Sequence, residues 1–419
     1  MNAKASRLEQ FILYSAFLLA NMRALVFVFL FPDTSKLLSP AWIEILLWMV
    51  AAAGVCYLLV RDGQVVQYLV MWRRNWPLVL FLLLAFISLL WSVAPLVSLF
   101  RWLELFLATL IAAFFGIRLS PMRMMEALFW FGAVLFILSI ALAYGAPPTG
   151  TMYWNPFYGA WRGVYWHRNH LASITALLSA IYLMRMVYSL RDRNSKVVLD
   201  ALFYVLSLVI LVFARSATGF ILVIVLHVFV FSAWLWLHFS NRLRRQHYLA
   251  ILGLGLLAGV FILTNLDFVF GLFNRDATMT GRVSLWTHLL ELAGRRPWLG
   301  HGFGAIWTLD TFREEIRVLD KWPSQPLIGD NGLLDIYLHL GIVGVLVFSA
   351  VLILITVRTF RYALTQQTLV GFFPLLVMIY AFFANITFSM FAETEVFVWS
   401  LIVIVLFMTT PNINKITDQ

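Results

Sequence analysis

The sequence predicts an all-α polytopic membrane protein with about 12 transmembrane helices and one long extracytoplasmic loop that contains short amphipathic helices. Three observations favour this fold class. The 419 residues are 62% hydrophobic and 12% charged, whereas a soluble domain has roughly 25% charged residues. The mean hydropathy is +0.89. The apolar residues form runs of about 20, the length that crosses a hydrocarbon core of about 30 Å.

The apolar runs define the spans in order along the chain. Only Arg215 and Ser216 separate the seventh run from the eighth, and only residues 392–395 separate the last two. Either pair could therefore be one broken helix. The predicted spans are 11–31, 41–60, 77–94, 97–117, 125–145, 169–190, 198–214, 217–239, 248–266, 333–357, 369–390 and 393–410.

The basic residues predict the topology. Short loops on the cytoplasmic side of a membrane protein carry an excess of Lys and Arg. Both termini are therefore predicted to be cytoplasmic, and the opposite short loops hold only Lys36, Arg162, Arg168 and Arg215. The net charge of +10 follows from this topology and requires no nucleic acid partner. The basic residues on the predicted cytoplasmic side are Lys4, Arg7, Arg61, Arg73, Arg74, Arg118, Arg123, Arg185, Arg191, Arg193, Lys196, Arg242, Arg244, Arg245, Arg358, Arg361 and Lys415.

We predict that residues 1–419 form a single integral membrane domain whose polar loop, 267–332, faces the outside. Within this loop, Thr280 is expected to begin an amphipathic helix that has Arg282 in its first turn and ends at Arg295, Arg296 and Pro297. The LGHGFG segment that follows predicts a flexible turn. A second amphipathic helix over about 309–321 would lie along the membrane surface.

Several segments carry a resemblance to a known family. TGRVSLW, RRPWLGHGFGAIW and DNGLLDIYLHLGIVG lie in and after the polar loop, and WSVAP, SLFRW, WRGVYWHRNHLA and ARSATG precede it. Together they resemble the O-antigen ligase and polymerase superfamily, and its exopolysaccharide-polymerase branch more than the lipid A core ligases. The resemblance covers about 90–419.

This resemblance implies a glycosyltransferase of the bacterial inner membrane with a periplasmic active site. Such an enzyme moves glycan from a polyprenyl-diphosphate carrier to an acceptor hydroxyl and polymerises exopolysaccharide or O-antigen units. The alternative within the family is a ligase that attaches finished glycan to lipid A core. From another class, a secondary transporter or a flippase for lipid-linked sugars also fits many helices with sparse charges.

Binding a lipid diphosphate requires fixed cations at the membrane surface, and Arg grips phosphate with two parallel hydrogen bonds. We expect Arg282 and Arg215 to be catalytic in this way, and their positions match functional arginines of the family. Arg282 would gain from the free N–H groups at a helix N-terminus. The alternatives are a solvated loop charge for Arg282 and an interfacial side chain for Arg215.

Attack by a hydroxyl requires a base. The family usually has His-Asn where this chain has Asp330-Asn331, so Asp330 is the expected catalytic base; it could also, or instead, be the N-cap of span ten. His301, His167 and His170 are the substitutes, each with a structural or interfacial histidine as the alternative.

The remaining site candidates are expected to contact substrate, and the alternative for Arg168 is an interfacial anchor. Arg101 is not among them, because it is expected to form an ion pair with Glu104 at the i, i+3 spacing. No metal-ligand set or phosphate-binding glycine motif is visible in the sequence, so we expect metal-independent transfer without a cofactor. The expected substrate-binding residues are Arg168, Asn169, His170, Arg275, His301 and Asn331.

Overall fold

The structure is a computed structural model that describes residues 7–20, 42–153, 157–191, 196–239, 282–308, 312, 314–315, 329–387 and 396–411. The described residues form helices and loops, with no strand beyond an isolated bridge between Thr151 and Trp161. Short 3-10 helices cover Ser88–Leu90, Ile306–Thr308 and Leu369–Phe372. The α-helices are α1 Arg7–Ala20, α2 Trp42–Arg61, α3 Val65–Arg74, α4 Trp76–Ile87, α5 Pro95–Arg118, α6 Pro121–Gly145, α7 Pro147–Gly150, α8 Arg168–Arg191, α9 Lys196–Ala214, α10 Ala217–Phe239, α11 Arg282–Gly294, α12 Gly332–Gln366, α13 Phe373–Thr387 and α14 Val396–Met408.

The prediction of an all-helical membrane protein is confirmed. Eight helical segments among the described residues are long and apolar enough to cross a membrane, or nine if the bent pair α3 and α4 forms one span. The predicted seventh and eighth spans are separate helices, α9 and α10. Predicted span nine, 248–266, lies outside the described residues. The total of about 12 spans therefore stays a prediction.

The chain differs from the prediction just before the third predicted span, 77–94. Helix α3, which hydropathy did not predict, precedes α4 and is bent 84° from it. Pro77 near the start of α4 lacks a backbone N–H and therefore suits a helix beginning rather than a helix interior. Helix α3 is amphipathic: it buries Tyr68 and Met71, while Gln67 is half-buried and Arg73 is exposed. A run with this mixed character has too low a mean hydropathy to register as a span.

The bend lies at one end of the helix bundle, where several basic residues meet. The Arg358 guanidinium of α12 donates to the Asn75 side-chain oxygen and to the Arg74 carbonyl oxygen, the latter at 3.0 Å. Arg118 at the end of α5 forms an ion pair with Asp62 at 2.8 Å. The structure thus groups these basic residues at one end, as the topology predicts. The compartment that this end faces stays a prediction.

Helix α12 begins at the opposite end and is kinked near its start. Gly341 has φ +64°, and a Cβ atom there would clash with the backbone of Trp298. The loop that follows α11 packs into this kink, where Ile342 N donates to the Pro297 carbonyl oxygen at 2.8 Å. The kink frees two helix carbonyl oxygens, those of Leu338 and His339, to accept hydrogen bonds from the loop, each at 2.9 Å. The helix start and the loop therefore form one packed unit.

Candidate functional site

The first candidate cluster lies where α9 ends and α10 begins. Arg215 has φ +51° and an exposed side chain, and it is followed by the buried Ser216. The Ser216 hydroxyl accepts from Gly219 N at 3.3 Å, which caps the start of α10, and donates to the Asn169 side-chain oxygen at 2.9 Å. The break between the two helices is therefore a defined turn, and it exposes the Arg215 side chain on the protein surface.

Arg168 supports this turn from inside. Its side chain is buried, and its guanidinium donates to the carbonyl oxygens of Ala214 (3.4 Å) and Arg215. The guanidinium carbon also lies 4.1 Å from the centre of the Phe157 ring, in a cation–π arrangement. A cation at the last carbonyl groups of a helix is stabilising, so Arg168 acts as the C-terminal cap of α9.

The structure thus brings three of the predicted residues together, Arg168, Asn169 and Arg215. Arg168 and Asn169, which the sequence suggested as substrate contacts, have partners inside the protein and hold the turn that bears Arg215. His170 is buried with its ring against Tyr165 and Trp166, at centroid distances of 5.8 and 5.5 Å.

The second candidate cluster surrounds the LGHGFG turn. His301 is buried, and its Nδ1 lies 3.2 Å from the Leu338 carbonyl oxygen. Because a carbonyl oxygen only accepts, Nδ1 carries the proton and Nε2 keeps a lone pair. Burial, with a smaller contribution from Arg296 and Arg295, lowers the pKa of His301. The imidazole is consequently neutral near neutral pH, with one nitrogen that is able to accept a proton.

The turn that was predicted to be flexible is closely packed. Gly302 has φ +104°, and a Cβ atom there would clash with Ser92. His301 accepts a backbone hydrogen bond from Val93 N at 2.9 Å, and Phe303 N donates to the Ser88 hydroxyl at 3.1 Å. The turn is thereby fixed between the α4–α5 connection and the start of α12.

The start of α12 corrects one prediction. Asn331, not Asp330, is the N-cap: its side-chain oxygen accepts from Leu333 N at 3.1 Å and from Leu334 N at 3.2 Å. A cap residue needs an extended backbone directly before the first helical residue, and Asn331 has φ −157°. Asp330 has φ +52°, so its backbone cannot fill that position. The alternative role of Asp330 as the N-cap is therefore wrong. Asn331 caps the helix, and its expected contact with substrate stays a prediction.

The described part of the loop helix α11 has Arg282 in its first turn, as the sequence predicted, and ends at Gly294 before Arg295 and Arg296. Of the other residues named from this loop, Thr280, Arg275 and most of the helix expected over 309–321 lie outside the described residues.

Sequence reasoning did not single out two buried polar residues of α12. Asp335 accepts at the same carboxylate oxygen from Trp307 Nε1 (3.0 Å) and from Gly329 N (3.2 Å). His339 lies one turn later, with the Phe303 ring 5.7 Å from its own. The i, i+4 spacing of a carboxylate and an imidazole inside an apolar run was the available signal. By contrast, the expected pair of Arg101 and Glu104 is confirmed, with 3.5 Å between the charged atoms.

Within the described part of the chain, no three His, Cys, Asp or Glu side chains are close enough together to hold a metal ion.

Comparison with known proteins shows which proteins the chain is similar to. Residues 202–349 match the family model described as O-antigen ligase, a segment that contains Arg215, Arg282, His301 and Asp330 but not Arg168. The exopolysaccharide production protein ExoQ of Rhizobium meliloti (strain 1021) is 24% identical over 284 residues. That alignment covers 65% of this chain and 62% of the ExoQ protein.

The described helices are those of a multi-pass membrane protein, and the matches show that the chain is similar to proteins of the O-antigen ligase and polymerase type. The resemblance seen in the sequence motifs, to the O-antigen ligase and polymerase superfamily and to its exopolysaccharide branch, is confirmed.

Proposed function

We propose that this protein transfers glycan from a polyprenyl-diphosphate carrier to an acceptor hydroxyl outside the cytoplasm, and so polymerises exopolysaccharide or O-antigen units. One observation carries the proposal. Arg215 is exposed at a defined break between two membrane-length helices, and the buried Arg168 holds the backbone of that break. A cation fixed at the membrane boundary is what a lipid diphosphate requires.

In the proposed reaction, the acceptor oxygen attacks the anomeric carbon of the donor glycan. The bond between that carbon and the diphosphate oxygen breaks, and the electron pair leaves with the polyprenyl diphosphate. Arg215 and Arg282 stabilise the negative charge of this leaving group, Arg282 with help from the N-terminus of α11. Two arginines can supply this stabilisation without a metal ion, and the transfer inverts the anomeric carbon if acceptor and leaving group lie on opposite faces.

The acceptor hydroxyl must lose its proton as the new bond forms. Asp330 is the proposed base, because a half-buried carboxylate directly precedes the cap of α12 at the position where the family usually has His. His301 is the second candidate, because its Nε2 keeps a lone pair while Nδ1 is held by Leu338. The two candidates predict different results for Asp330→Asn: transfer is abolished if Asp330 is the base and persists if His301 is.

The proposed partners are a polyprenyl-diphosphate-linked oligosaccharide, a glycan acceptor and membrane lipid. We place the protein in the bacterial inner membrane with both termini cytoplasmic and the site periplasmic. The name of the ExoQ relative favours polymerisation of exopolysaccharide. The name of the matched family model favours the second candidate, ligation of finished glycan to lipid A core.

A reconstitution experiment tests the proposal. Purified protein in liposomes is mixed with a defined polyprenyl-diphosphate glycan, with and without lipid A core, and the products are separated by size. A ladder of products without lipid A core supports a polymerase, and a single product that requires lipid A core supports a ligase. Movement of intact donor across the bilayer without a new glycosidic bond would instead show a flippase.

A further inference from the structure

The backbone of Gly329, the residue before Asp330, is held on both sides. Its N–H donates to a carboxylate oxygen of the buried Asp335, at 3.2 Å. Its carbonyl oxygen accepts from the indole Nε1 of Trp286, at 2.9 Å. The same Asp335 oxygen also accepts from the indole of Trp307, at 3.0 Å. Gly329 is thus bonded directly to Trp286 and Asp335, and through Asp335 it is linked to Trp307.

The three anchors belong to the elements that bear the proposed catalytic groups. Trp286 lies on α11, one turn after Arg282, and Asp335 lies in the first turn of α12. Trp307 belongs to the 3-10 helix that follows the His301 turn. Leu285, Leu289 and Leu338 pack around this region as a small apolar cluster, separate from the main core. A contact between α11 and α12 therefore passes through Gly329.

The segment has little freedom at this point. A Cβ atom on Gly329 would lie 2.7 Å from the Asp335 carboxylate oxygen, closer than side-chain contacts normally come. Asp330 then adopts φ +52°, and Asn331 is fixed as the helix cap. A non-glycine residue with positive φ persists where its surroundings determine it. The hydrogen bonds of Gly329 on one side and the helix cap formed by Asn331 on the other hold the Asp330 backbone in this conformation.

We propose that Asp335, with Trp286 and Trp307, is a positioning group for the transfer reaction: it fixes the Asp330 backbone relative to the helix that begins at Arg282. This inference rests on the proposed function, since it assigns the positioned groups their roles there. Asp335 acts by accepting hydrogen bonds, so the oxygen atom matters and its negative charge does not. A residue that took part directly in proton transfer would need its charge, so this difference separates a positioning role from a catalytic one.

Four variants test the proposal. Asp335→Asn keeps a side-chain oxygen of the same shape and should retain transfer within about threefold, because neutral acceptors still bond both donors. Asp335→Leu has a similar volume without an acceptor and should lose about a hundredfold in turnover, the effect of a misplacement of about 1 Å. Trp286→Phe and Trp307→Phe each remove one donor and should lose about tenfold.

The KM for the donor should change less than the turnover number in these variants. A general loss of stability would be shared by Trp399→Phe, the matched control, which removes a buried indole hydrogen bond to Thr109 Oγ1 (2.8 Å) in the main core. This control should lower thermal stability and leave turnover per folded molecule unchanged.

Hydrogen exchange of peptides that cover 329–334 provides a readout without activity. Exchange should be faster in Asp335→Leu and Trp286→Phe, and unchanged in Trp399→Phe. Unchanged exchange in the first two would overturn the proposal, and so would turnover of Asp335→Leu near that of the unmodified protein. If Asp335→Asn is as inactive as Asp335→Leu, the charge matters and the positioning role fails. An unmodified protein that transfers no glycan but shows the expected exchange would refute the proposed function and leave the anchoring intact.

Discussion

The buried Arg168 guanidinium donates to the backbone carbonyl oxygen of Arg215, 47 positions later in the chain. This bond joins the HRN segment to the ARSATG segment and fixes the only two residues between α9 and α10. The two arginines therefore have different tasks: one is a buried cap, and the other is the exposed group that the cap holds in place. Mutagenesis can separate the supporting role of Arg168 from the proposed binding role of Arg215.

Replacing Arg168 tests the capping task. Arg168→Met removes the charge-assisted hydrogen bonds to two carbonyl oxygens and should cost about 2 kcal/mol of stability. Transfer activity should fall with it, because the Arg215 turn loses its support. Arg168→Lys keeps a cation that can reach a carbonyl oxygen and should recover part of both. Thermal unfolding and turnover of the two variants are the measurements, and full activity in a destabilised Arg168→Met would show that the cap does not position Arg215.

Replacing Arg215 and Arg282 tests diphosphate binding. Arg215→Lys and Arg282→Lys each keep the positive charge but cannot form bidentate hydrogen bonds to phosphate. Each should therefore lose most transfer activity at normal protein level. Arg361→Lys, an exposed position at the opposite end of the bundle, is the matched control and should be silent. Near-normal rates in both test variants would move the donor site elsewhere.

Hydropathy was enough to predict most of the helices, because the cost of leaving backbone groups unpaired in lipid forces apolar runs to be helical. It was not enough for α3. Its apolar residues are interrupted by Gln67, Arg73 and Arg74, so its mean hydropathy is low although one face packs on the bundle. An amphipathic segment of this kind resembles a polar loop in any averaged profile.

The local geometry of the site was less predictable for a different reason. Asp and Asn are both good helix caps, so the sequence could not decide between Asp330 and Asn331. The choice depends on the anchors of Gly329, which lie as far away as Trp286 in the chain. The glycines of the LGHGFG turn likewise allow flexibility in isolation, and only their contacts with α12 and Ser92 show that the turn is packed.

Acidification tests the state of His301. Its folded pKa is below the unfolded value of 6.5, so between the two values the unfolded chain binds more protons than the folded one. This contribution to stability is present above about pH 6.5 and is lost as the pH falls toward the folded pKa. The unmodified protein should therefore lose more thermal stability between pH 7.5 and 5.5 than His301→Asn, whose amide can still donate to Leu338. Equal losses in both would mean that His301 titrates normally.

The membrane orientation is tested with reporter fusions. A reporter fused after Gly302 should report the periplasm. Fusions after Arg193, Arg244 and Arg361 should report the cytoplasm, because the short loops on the cytoplasmic side carry most of the basic residues. The structure places Gly302 and Arg361 toward opposite ends of α12, so these two fusions must give opposite signals if α12 spans the membrane. A cytoplasmic signal at Gly302 would refute the proposed site location.

Asp330 is the residue at which the family pattern and this chain differ, and three variants define its role. Because Asn331 is the cap, Asp330→Asn should leave folding almost unchanged, and Asn tolerates the positive φ that the position requires. If Asp330 is the base, this variant should abolish transfer, since an amide cannot accept the proton. Asp330→His, the usual family residue, should keep some activity with a pH profile shifted toward the imidazole range. Asp330→Ala should cost about 1 kcal/mol through backbone strain, as Asn331→Ala should through loss of the cap. Turnover measured beside thermal stability separates these effects, and an Asp330→Asn protein with full activity would transfer the role of base to His301.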